Sequence, residues 1–89
     1  MPQHDWTEGD DLLALYVFRF GSNDLPLPLD AMLRARGVDP TSFRMRIGNF
    51  KALAGKGGLA NAAKQSERIF KRYGNLEHGQ LRALLSTRH

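Results

Sequence analysis

The chain has no cysteine among its 89 residues. This excludes disulfides and thiolate zinc sites and agrees with a reducing cytoplasm as the expected location. Long hydrophobic runs are also missing. The longest, LLALYVF at 12–18, falls well short of the ~20 residues that a membrane-spanning helix needs, so no membrane association is expected. The opening MPQHDWTEGDD is acidic where a secretory signal would be basic. Histidine occurs only at positions 4, 78 and 89, a scatter with no metal-ligand spacing, and neither a metal nor a cofactor is expected. No set of nucleophile, base and orienting group emerges, so the expectation is a non-enzyme without a small-molecule substrate. The GKGG segment at 55–58 lacks the longer frame of a phosphate loop, and no strand precedes it.

Hydrophobic residues make up 42% of the chain and charged residues 25%, which is enough apolar material for one small core. No segment alternates with period two, so the fold class read from the pattern is all-α: a compact bundle of four to five short helices. Thr7 and Asp10 form a capping-box pattern at the start of the first helix. Asp10 and Asp11 are read as acids favourably placed near the positive helix end, with no catalytic role. The run that follows is apolar around most of its circumference, as in a central helix, and Gly21 is placed to end it in a left-handed conformation. Pro28 opens a short second helix with Leu29, Met32 and Leu33 on one face, and Gly37 stops it. Asp39 then caps a third helix with Pro40 at its first position, and Phe43, Ile47 and Phe50 form its buried stripe.

AGKGGLAN at 54–61 reads as a glycine-rich linker. A fourth helix is expected from about Asn61, with Ala62, Ser66, Ile69, Phe70 and Tyr73 inward. Gly74-Asn75 is expected to end it and to cap a fifth helix packed through Leu81, Leu84 and Leu85. The expected organisation is one helical domain over 1–89. It has a trihelical core at 6–54, a linker at 55–60 and C-terminal helices at 61–89.

Charge divides the chain unevenly. Residues 1–39 carry a net −4 and residues 40–89 a net +8, an asymmetry typical of a polyanion binder. The second and third helices, joined through Arg36-Gly37-Val38-Asp39-Pro40, have the pattern of a helix-turn-helix, whose second helix enters the major groove. Thr41, Ser42, Met45, Gly48, Asn49 and Ala52 are expected to face outward, with Arg44 and Arg46 on the shoulders. Asparagine pairs with adenine, arginine with guanine or phosphate, and methionine can meet a thymine methyl. Lys51, Lys56, Lys64, Arg68 and Lys71 are the candidate phosphate contacts, the last three at i, i+4, i+7 on one outward stripe. The fit to a helix-turn-helix is imperfect. Leu33 occupies a position that is usually small, and Arg46 stands where an apolar residue is expected.

Trp6-Thr7 with Asp10, Ala14-Leu15 with Phe18, RMRIGNF at 44–50 and GLANAAKQSERIF at 58–70 together resemble a bacterial domain. It is the helical N-terminal domain of HNH restriction-endonuclease-like proteins. The resemblance spans about residues 6–73 and is most specific at Gly48-Asn49-Phe50 and the Gly-Leu-x-Asn-Ala segment. It implies a helix-turn-helix-like DNA-binding module, with Arg44, Arg46 and Asn49 as contacts. The catalytic HNH segment has no counterpart here, and Ser66-Glu67 stands where the pattern has an aspartate, so cleavage is not implied. The function expected is that of a small bacterial or phage DNA-binding protein with a regulatory or accessory role. The alternative is an accessory subunit whose basic face meets an acidic protein partner, with Val17 and Phe18 as a homodimer or partner interface.

Overall fold

A computed structural model of the chain describes residues 6–55 and 64–87. Its five helices are α1 (Glu8–Phe20), α2 (Leu29–Arg36), α3 (Pro40–Leu53), α4 (Lys64–Tyr73) and α5 (His78–Thr87), and no strand occurs among the described residues. The fold is all-α and compact. The expected start of α4 at Asn61, the inward placement of Ala62, Lys56 and the linker after Gly55 lie outside the described residues.

Local chemistry sets the helix starts. The Thr7 side chain accepts from the Asp10 N–H at 3.1 Å, and the Asp10 carboxylate accepts from the Thr7 N–H at 3.0 Å, a complete capping box. Asp39 caps α3 by accepting from the Ser42 N–H at 3.1 Å, with Pro40 in the first turn. Gly37 ends α2 at φ 70, ψ 26, a left-handed conformation that favours glycine. Two boundaries differ from the sequence reading. Gly21 ends α1 at φ 83 but ψ −173, so the chain leaves extended rather than in a left-handed turn. The fifth helix opens at His78, and the Glu77 N–H donates to Gln80 Oε1 at 3.0 Å, so the capping lies at Glu77 rather than Asn75.

α1 is the central element and packs against α3, α4 and α5, while α3 also packs on α4. Residues Leu12 to Tyr16 are wholly buried, joined in one core by Leu33, Val38, Phe43, Phe50, Ile69, Tyr73, Leu81 and Leu85. This is the arrangement that an apolar circumference on α1 demands. Val17 and Phe18, expected as a free apolar surface, are instead half-buried against this core, and Phe18 stacks on Phe50 at 6.4 Å.

Candidate nucleic-acid interface

α3 presents a strip of surface whose make-up follows from its inward stripe. With Phe43 and Phe50 buried, Thr41 and Met45 turn outward, and Arg44 and Lys51, seven residues apart, share one flank. All four are exposed, Met45 by 72%. The opposite flank carries Ser42 and Asn49 and faces the first turn of α4, where Asn49 Nδ2 donates to Ser66 Oγ at 3.4 Å. On α4, Lys64, Arg68 and Lys71 are exposed along the outward side. Lys71 lies 3.4 Å from Glu67, a surface pair of small energetic weight. The cations thus form two sets, one on the outer flank of α3 and one on α4, with the Ser42–Asn49 side between them.

Arg46 is placed differently from the sequence expectation. Its Nε and Nη2 donate to the two carboxylate oxygens of Asp11 at 2.7 and 2.8 Å, in a bidentate pair with a wholly buried carboxylate. The guanidinium also lies 4.7 Å from the Trp6 ring centroid. Asp11 accepts two further bonds from α4, from Gln65 Nε2 at 2.7 Å and Ser66 Oγ at 3.0 Å, while Gln65 also donates to the Trp6 carbonyl at 2.8 Å. A buried carboxylate needs this saturation, because an unpaired charge there would carry a large desolvation penalty. One carboxylate on α1 therefore ties α3 to α4, and Arg46 leaves the set of candidate DNA contacts. Asp10 has a similar role toward α2, accepting from Arg36 Nη1 at 2.8 Å.

Asp11 and Gln65 are the residues that sequence reasoning missed. Two signals bore on Asp11 and its partner, and none on Gln65. Arg46 sits at a position whose helical phase is inward, and Asp11 directly precedes the fully apolar stretch of α1. Both signals give an inward direction and the need of a buried charge for a partner, without saying which residue it meets.

Trp6, Ser42, Met45, Arg46, Gly48 and Asn49 line an open groove of about 480 Å³ beside α3. His78, one of the three scattered histidines, is bonded: its Nε2 lies 2.7 Å from Tyr16 Oη and 2.8 Å from Asp24 Oδ2. No cluster of three or more metal-ligating side chains occurs among the described residues, and none of their helices is long and apolar enough to cross a membrane. Fold and surface together define a class, an all-helical globule with a cation-flanked helix on its exterior. No family model, curated protein or solved structure matches the chain.

Proposed function

We propose that the chain binds duplex DNA, with α3 in the major groove and the cations of α3 and α4 on the phosphates to either side. The observation that carries this reading is the distribution of charge. The innermost acids, Asp10 and Asp11, are held by Arg36 and Arg46 inside the molecule. Arg44, Lys51, Lys64 and Arg68 are exposed, with no ion pair to an acid among the described residues. The strip between the two cation sets is small and polar apart from Met45, which allows a helix to approach base edges closely. Thr41, Ser42, Met45 and Asn49 are the candidate base contacts. Arg44, Lys51, Lys64, Arg68 and Lys71 are the candidate phosphate contacts. The resemblance of residues 6–73 to the helical domain of HNH-endonuclease-like proteins points the same way, toward a regulatory or accessory DNA binder of bacterial or phage type.

Fluorescence anisotropy on a random-sequence duplex across a salt series tests the reading. Five phosphate contacts correspond to a log–log slope of about −4 to −5, and Arg68→Ala or Lys71→Ala should each make it shallower by about one. Salt-independent affinity, or no binding at low salt, would reject it. Displacement of the duplex by polyglutamate at matched charge would favour an acidic protein partner instead.

A further inference from the structure

The groove beside α3 has a chemistry that selects among base pairs. We propose that it reads an A·T pair, with the Asn49 amide on the adenine edge and the thymine 5-methyl group against Met45 and Trp6. This rests on the duplex-DNA reading above and adds which base pair is preferred.

The argument begins at Asp11. Ser66 has one hydroxyl proton, and it is donated to Asp11 Oδ1 at 3.0 Å. Toward Asn49 the hydroxyl can therefore only accept, which fixes the amide with its nitrogen toward Ser66. The second N–H of that nitrogen and the Oδ1 oxygen are left to form one edge, a donor beside an acceptor. Adenine presents the matching pair in the major groove, N7 as acceptor and N6–H as donor. Guanine presents two acceptors there, N7 and O6, so Asn49 Oδ1 would face O6 without a proton between them.

Arginine would normally favour guanine, but Arg46 is unable to play that part. Both carboxylate oxygens of Asp11 hold its guanidinium and the Trp6 ring covers it, which leaves its side chain 14% exposed. The rest of the lining is apolar or small. Met45 is an exposed thioether side chain, and Gly48 has no neighbour within 4 Å of where a Cβ would stand. A methyl group entering there meets carbon and sulfur rather than charge. The exposed cations on either side, Arg44 and Lys51 on α3 and Lys64 on α4, match the phosphates that flank a base-pair edge.

Anisotropy titration of the full chain on three duplexes of equal length tests this: alternating dA-dT, the same with uracil replacing thymine, and alternating dG-dC. The dA-dT duplex is expected to bind about tenfold more tightly than dG-dC, the scale of one bidentate base contact. Uracil should weaken binding about fourfold, the scale of one buried methyl group. Asn49→Ala should reduce the preference over dG-dC to the roughly fourfold that the methyl contact supplies, and Met45→Ala should abolish the thymine–uracil difference and keep the part of the dG-dC discrimination that depends on Asn49, both with the salt slope retained. Equal affinity for the three duplexes with that slope intact would overturn the groove assignment and leave duplex binding standing. Failure to bind any of them at low salt would overturn both.

Discussion

The two ends of α1, about 20 Å apart along a helix of this length, are anchored by opposite kinds of chemistry. At the first turn, Asp11 is fully buried and accepts four side-chain hydrogen bonds, and its ion-pair partner Arg46 is 14% exposed. At the last turns the contacts are aromatic and wetter. Tyr16 tilts against Phe20 at 5.3 Å, and His78 meets the Phe20 ring edge-on at 4.9 Å. His78 and Asp24, bonded to one another, are 43% and 62% exposed. Arg19 donates to the Leu76 carbonyl and lies over Phe20, while Arg82, whose charge acts on the Tyr16 phenol, has its Nε buried without a hydrogen-bond partner. The difference teaches where strength and specificity reside. The charged end is all-or-none: losing one member strands a buried charge. The aromatic end is a sum of small, separable contacts. Only the charged end reaches the groove beside α3, through Arg46 and the Ser66–Asn49 bond.

Arg46→Ala tests the contrast most severely. It leaves the Asp11 carboxylate buried without its cation, and the expected loss is about 3–5 kcal/mol in urea denaturation. Because such a variant can unfold outright, Arg46→Lys serves as its partner. It restores the charge but not the fork, and should recover part of the stability. A loss below about 1 kcal/mol for the alanine variant would mean that the carboxylate is satisfied by Gln65 and Ser66 alone, and the all-or-none description would fail.

At the other end, Gly74→Ala is expected to cost about 1–3 kcal/mol through overpacking. A Cβ there would collide with the Phe70 carbonyl oxygen and lie 3.2 Å from the Phe70 ring, beside the hollow lined by Phe18, Phe20 and Phe70. Duplex affinity per folded molecule should not change, because nothing at this end touches the α3 groove. A change in the dA-dT preference at full folding would show that the two ends are coupled and break the comparison.

The ends also differed in how much of them was legible in the sequence. Thr7 with Asp10, Gly37, and Asp39 with Pro40 marked their helix boundaries correctly, because caps act through residues within one turn of each other. Phe43, Phe50, Ile69 and Tyr73 fell on inward faces, because period 3.6 is also a local property. The Asp11–Arg46 pair joins residues 35 apart and the Tyr16–His78 contact residues 62 apart. Neither follows from periodicity, which tells which way a side chain points but not what waits there. Arg46 was therefore read as a shoulder cation open to DNA, when the first turn of α4 and the acid of α1 already closed on it. Asn49 was identified by type alone. What orients its amide is a serine on another helix, and no spacing rule reaches that far.

Tyr16→Phe is the mildest test and the one most specific to the aromatic end. The phenol donates to the Asp24 carbonyl at 3.4 Å and meets His78 Nε2 at 2.7 Å. Removing the hydroxyl should cost about 0.5–1.5 kcal/mol near neutral pH. Burial, then the Asp24 charge, pushes the Tyr16 pKa above its ordinary value of 10.0, with Arg82 opposing. The folded protein therefore keeps the phenolic proton to higher pH than the unfolded chain does. The resulting stability is fully present below 10.0 and is lost as pH rises through the raised folded value. The gap between wild type and Tyr16→Phe, followed by urea denaturation at each pH, should accordingly hold up to 10.0 and narrow as pH rises above it. A gap that stays constant across that range would place Tyr16 in contact with water, and the aromatic end would then be looser than its ring contacts require.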